Sequence, residues 1–208
     1  GLERRRLLRF YQDSEEDMRS DRILPVLLLC DKRPRLLEQF RDSYIERCSF
    51  LPPPLIFVDR TVDSSCWFDD LVQSFEPMRV LPLKSLRKNR RDNVNDNIVS
   101  YIVEELSILS DFEVFLWLED DVLFSSQLEE AIERITIPVD AGAITLYSPG
   151  VEYYPDHPSF CYSIDTKRFY GTQAVLLPQK GVRELSRRSA EMLNIPWLWD
   201  IRWKEAFM

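Results

Sequence analysis

The chain has one histidine, five glycines and four cysteines, and no two of the cysteines are spaced as C-x-x-C. Without such a pair, and with His157 alone, no zinc site of the usual spacing can be drawn. Cys30 closes an apolar run and reads as a buried thiol rather than half of a bridge. Cys48, Cys66 and Cys161 leave the redox compartment open. No Asn-x-Ser/Thr acceptor is present to settle it. No apolar run approaches the roughly 20 residues of a membrane span. There is no internal repeat and no low-complexity tract. The net charge of −8 has the wrong sign for a nucleic-acid partner; the basic loop at 84–91 still leaves room for a local anionic ligand. Scarce glycine matters most after the first apolar run. There the sequence is Asp31-Lys32-Arg33-Pro34, with none of the glycines that a phosphate-cradling loop requires.

What is present suits a globular protein. A hydrophobic fraction of 45% over 208 residues fills the core of one domain, with two small lobes as the alternative. Residues 1–22 are charge-rich and helix-favouring and read as a peripheral helix or leader, and 23–208 as a single domain. The chain begins at Gly1 rather than Met, so an anchor or leader further upstream is expected to be compatible with it. From there the pattern alternates. Strands are expected at 26–30, with Pro25 at the start where proline is tolerated, and at 55–58, 79–83, 142–147 and 175–177. Helices are expected at 36–44, 71–75, 93–109, 127–135 and 179–192, and loops at 63–70 and 153–160. The helix at 93–109 carries Val94, Ile98, Tyr101, Ile102, Leu106 and Leu109 on one stripe. Strand–helix alternation at this spacing predicts an α/β fold with a mostly parallel central sheet flanked by helices.

The most informative stretch is Val114-Phe115-Leu116-Trp117-Leu118-Glu119-Asp120-Asp121-Val122. Its apolar start reads as a strand buried on both faces, inside a parallel sheet. It runs straight into three carboxylates, which is costly unless a cation compensates them. Ligands of open α/β sheets bind at the carboxyl ends of strands. A divalent metal that itself holds a phosphate therefore explains the triplet economically. The alternative is an acidic helix N-terminus, since Asp and Glu favour a first turn. Alternation along an extended segment puts Glu119 and Asp121 on one side and Asp120 on the other, toward a backbone donor.

Two segments together carry a family resemblance. Leu118-Glu119-Asp120-Asp121-Val122 resembles the acidic metal signature of GT-A type glycosyltransferases. Phe169-Tyr170-Gly171-Thr172-Gln173-Ala174-Val175-Leu176-Leu177, followed by Gly181 and a helix, is similar to the segment those enzymes place beside the acceptor. The N-acetylglucosaminyltransferase IV family, the GPI-glycan N-acetylgalactosaminyltransferases and the family-25 glycosyltransferases are similar in the same places. Family 25 usually continues further than this ending, so the acceptor lobe is expected to be reduced or differently built.

The resemblance implies a GT-A-like, Rossmann-like fold and a metal-dependent transferase, hexosyl- or N-acetylhexosaminyl-, working with inversion. The partners it implies are a nucleotide-sugar donor, UDP-linked, and a glycan or glycoconjugate acceptor. It also implies Mn²⁺ or Mg²⁺ as cofactor. The compartment would be the Golgi or ER lumen in a eukaryote and the cytoplasm in a bacterium. Asp121 would bind the metal directly and Glu119 through water, or else contact the sugar or ribose. Asp31, Arg33 and Asp59 at strand ends would hold the donor together with Glu119 and Asp120. For Asp31 and Asp59, ordinary turn chemistry is the competing explanation. Tyr170, Gly171, Thr172 and Trp199 would line the acceptor site. Asp200, among Trp197, Trp199 and Trp203, is the candidate general base, with helix capping as the alternative; Asp156 and Asp165 stand next in line. Arg90, Arg91 and Asn93 read as a solvated basic loop, and His157 as a surface residue. A nucleotidyltransferase of related fold and a non-catalytic nucleotide- or glycan-binding domain are the competing functions. The glycine-free turn at 31–34 counts against the first.

Overall fold

A computed structural model of the chain describes residues 20–59, 66–76, 78–82, 94–138, 141–146 and 173–192. After a 3₁₀ turn at Ser20–Arg22, the described strands are β1 (Ile23–Cys30), β2 (Leu55–Asp59), β3 (Arg79–Pro82), β4 (Val114–Glu119), β5 (Ile144–Thr145) and β6 (Ala174–Pro178). The helices are α1 (Pro34–Arg47), α2 (Cys66–Gln73), α3 (Val94–Ser107), α4 (Leu128–Glu133) and α5 (Gln179–Met192). The strands form one sheet in the order β3-β2-β1-β4-β6-β5. β3, β2, β1 and β4 run parallel, whereas β6 is antiparallel to both β4 and β5.

Side-chain alternation sorts the core into two layers. Leu27 and Leu29 of β1, Leu116 and Leu118 of β4 and Leu176 of β6 face α1, α2 and α4. Val26, Phe115, Trp117, Val175 and Leu177 face α3 and α5 instead, and those two helices pack against each other. A strand covered on both faces has no polar side, which is why 114–118 reads as an unbroken apolar run. Trp117, Phe115 and Leu116 are wholly buried. At about 1.5–3 kcal/mol per large apolar side chain, they hold β4 firmly in place. β4 has the parallel β1 on one side, in keeping with a mostly parallel sheet, and the antiparallel β6 on the other.

Several boundaries also differ from expectation. α2 occupies 66–73, where a loop and then a helix at 71–75 were expected. Asp69 and Asp70 disguise an apolar face made of Trp67, Phe68, Leu71 and Val72, spaced one and four apart, which packs on the core. α1 starts at Pro34, a residue suited to the first helical position. β1 starts at Ile23, so Pro25 lies inside the strand rather than at its start. Pairing with β2 begins only at Val26, so at Pro25 the strand has β4 alone beside it and no rung to β2 is lost. β5 keeps two residues of the six expected. Of the expected N-terminal helix, residues 1–19 lie outside the described residues. No described helix is long and apolar enough to cross a membrane.

Gly181, in the first turn of α5, lies directly against the backbone of Gly142 just before β5. A β-carbon there would fall inside the van der Waals shell of the Gly142 carbonyl oxygen, and backbone cannot swing aside as a side chain can. Gly181→Ala is therefore expected to destabilise the protein by about 1–3 kcal/mol, as overpacking does, despite alanine's better helix propensity. Urea denaturation measures this, and an unchanged or raised midpoint would contradict the close approach.

Candidate functional site

The parallel strands β1, β2 and β4 all end at the same edge of the sheet. Register places Cys30 beside Asp59 and Leu28 beside Glu119, so the candidate residues at three strand ends are neighbours. Because β6 runs the other way, its beginning comes to that edge too. Leu118 pairs with Ala174, and the Glu119 N–H donates to the Gln173 carbonyl at 2.9 Å. The acidic triplet and the end of the Tyr-Gly-Thr-Gln segment, far apart in sequence, are thus bonded to each other. The side-chain Oε1 of Gln173 is buried there without a hydrogen-bond partner, an arrangement that ordinarily calls for a ligand or water.

The strand stops at Glu119, and Asp120 and Asp121 form a turn. Asp120 is buried, with 3% of its surface exposed. Its Oδ2 accepts the Cys30 backbone N–H at 2.9 Å and its Oδ1 accepts Arg33 Nη2 at 2.7 Å. Arg33 Nη1 donates to Asp121 Oδ2 at 3.1 Å. Strict alternation would have set Asp120 and Asp121 on opposite sides. The turn ends the alternation, and both reach the same guanidinium. Asp120 does take a backbone donor.

Arg33 arrives because the β1–α1 connection is only three residues long, 31–33, and Pro34 fixes the start of α1. Burial pushes the Asp120 carboxyl above its ordinary value; the Cys30 N–H and Arg33 oppose that push without cancelling it. Partial desolvation works against the charge of Arg33, but the two carboxylates outweigh it and its pKa is raised. For Asp120 and Asp121, the protein itself thus supplies a cation in Arg33. That pairing was missed in the sequence, although Lys32 and Arg33 are the only basic residues in the turn that follows β1. Equally unsignalled was the Phe124 N–H bond to Ser43 Oγ at 2.9 Å, which ties the segment after the triplet to α1.

Among the described residues, no three His, Cys, Asp or Glu side chains converge as a metal cage. Mg²⁺-like ions are commonly held by one or two carboxylates plus substrate phosphates rather than by an all-protein cage. Asp120 is spent on protein donors, whereas Asp121 keeps 28% of its side chain open. An open hard-oxygen ligand beside the half-buried Glu119 fits a metal that arrives with a phosphate. Asp31 is half-buried in the turn after β1. Tyr170, Gly171, Thr172, Trp199 and Asp200 lie outside the described residues, as do His157, Arg90, Arg91 and Asn93.

Comparison with protein-family models and with curated proteins finds no match. Solved structures do match. An active-site mutant of LgtC superposes with a TM-score of 0.50 at 12% identity, over 88% of this chain and 69% of that one. The fold is GT-A-like. Galactosyltransferase LgtC in complex with donor and acceptor sugar analogues gives 0.45 at 11% identity, over the same 88% and 69%. A 4-diphosphocytidyl-2C-methyl-D-erythritol synthase gives 0.47 at 16%, over 88% of this chain and 84% of that one. At 12% identity, what the first of these shares with this chain is its fold.

The two aspartates of the turn are expected to separate on mutation. Asp120→Ala strands a backbone N–H and one arm of Arg33, and should cost about 1–3 kcal/mol. Asp121→Ala loses only a solvent-screened pair, worth about 0–1 kcal/mol. Denaturant titration of both variants tests the difference, and equal costs would contradict the division of roles.

Proposed function

We propose that the protein is a metal-dependent glycosyltransferase. It takes a sugar from a nucleotide-sugar donor, UDP-linked, and delivers it with inversion to a glycan or glycoconjugate acceptor. The observation that carries this reading is the bond between Glu119 and Gln173. It joins the acidic tip of β4 to the segment that resembles an acceptor wall, at the sheet edge where such folds bind ligands. The unpartnered Gln173 Oε1 adds an acceptor for a sugar hydroxyl or amide at the same place.

In this reading Asp121 is the metal's protein ligand, and Glu119 stands behind it through water. A bound divalent ion supplies charge neutralisation for the departing diphosphate, worth several kcal/mol. Arg33 adds a second positive group, held by Asp120 at the mouth of the site. Asp31 and Asp59, at the ends of β1 and β2, hold the nucleoside. Tyr170, Gly171, Thr172 and Trp199 orient the acceptor. Asp200 accepts the proton of the acceptor hydroxyl as it attacks the anomeric carbon, the general-base role that inversion requires. A nucleotidyltransferase would want a glycine-rich turn after β1; here Arg33 anchors that turn to the acidic tip, which supports the glycosyltransferase reading.

UDP should raise the melting temperature in Mn²⁺ and much less in EDTA, because a ligand that binds only the folded state stabilises it. Asp121→Ala should abolish the Mn²⁺-dependent part of that shift while leaving the fold intact. Equal shifts in Mn²⁺ and EDTA, or undiminished binding by the variant, would sink the assignment.

A further inference from the structure

The guanidinium of Arg33 holds two carboxylates in different surroundings. Its Nη2 contact, 2.7 Å to Asp120, is to a side chain only 4% exposed. The other oxygen of Asp120 is tied to the Cys30 N–H, so this contact is anchored from two strands. The Nη1 contact, 3.1 Å to Asp121, is to a side chain 28% exposed. Arg33 is itself 45% exposed. One arm lies on a buried partner and the other on a partly open one.

We propose that Arg33 is a place-holding cation that couples metal binding to diphosphate binding. Its Nη1 occupies Asp121 until a divalent ion arrives with a nucleoside diphosphate, then turns to the diphosphate while Nη2 stays on Asp120. This rests on the reading of Asp121 as the metal ligand. Charge supplies the reason. Glu119, Asp120 and Asp121 with the one guanidinium of Arg33 carry a formal charge of −2. A divalent ion alone neutralises that charge but must evict Nη1, which leaves a guanidinium arm facing the metal with no anion between them. An ion that brings a diphosphate gives the evicted arm an anion to bind. Metal and nucleotide should therefore each strengthen the other's binding, by the same factor in both directions.

The test titrates Mn²⁺ by electron paramagnetic resonance, with and without UDP, into wild type, Arg33→Met and Arg33→Lys. Arg33 makes no side-chain capping bond to α1, so neither change undoes the start of that helix. If the methionine variant fails to fold because Asp120 is left without its cation, the lysine variant carries the test. Lysine offers a compact charge where arginine offers a fork, and it can stay on Asp120 while leaving Asp121 open.

For an exposed pair of this kind, Mn²⁺ alone should bind about two- to fivefold more tightly without the Nη1 contact. The factor by which UDP tightens Mn²⁺ should shrink at the same time. Unchanged or weaker binding of Mn²⁺ alone in the folded variants would overturn the proposal, with the metal reading left standing if Asp121→Ala still abolishes Mn²⁺-dependent UDP binding. No Mn²⁺ binding by wild type, with UDP or without, would overturn both.

Discussion

The Asp120 carboxylate is the joint on which the site depends. β4 drives an apolar strand through the centre of the sheet and then presents acid at its end. A carboxylate that is almost wholly buried needs partners at both oxygens. One comes from the backbone of β1 and the other from the turn that follows it. The same residue therefore closes the top of the β1–β4 pair, sets the position of Arg33, and leaves Asp121 as the more open acid of the turn. A neutral residue at this place would spare the desolvation but would position nothing. Burying a paired charge is rarely a gain in stability; what it provides here is a defined arrangement of cation and acid at the sheet edge.

The second constraint is the direction of β6. A parallel strand beside β4 would bring its far end to the acidic tip, and the segment before Ala174 would lie at the opposite edge of the sheet. Antiparallel pairing reverses this and delivers Gln173 to Glu119. α5 then leaves from the other end of β6, packs on α3, and is seated by the contact between Gly181 and Gly142. Sheet topology and helix packing thus converge on one result: an acidic edge walled on one side by α1 and its turn and on the other by the entry to β6.

Much of this was legible in the chain itself. The five-residue apolar run of β4, the apolar runs of β1 and β2 and the amphipathic stripe of α3 follow from periodicity alone, because burial on two faces or one leaves its mark residue by residue. The acidic tip was legible for the same reason: charge directly after a buried strand is too costly to be incidental. α2 was not read correctly, since its two aspartates interrupt the pattern over a span too short for the period to stand out. β5 was overextended because a run of strand-forming residues does not reveal where a partner strand stops.

By itself, the sequence determined which residues had to be inside, which strand was central, and that its acidic end needed a cation. Those are local demands, set by the composition of a few adjacent positions. Only the tertiary structure decided which cation answers, that β6 reverses direction, and that Asp120 and Asp121 share a single guanidinium instead of pointing apart. These depend on distances between residues some ninety positions apart in the chain and on where a strand gives way to a turn. No local pattern encodes either, because several folded arrangements could meet the same local demand and only packing of the whole sheet selects among them.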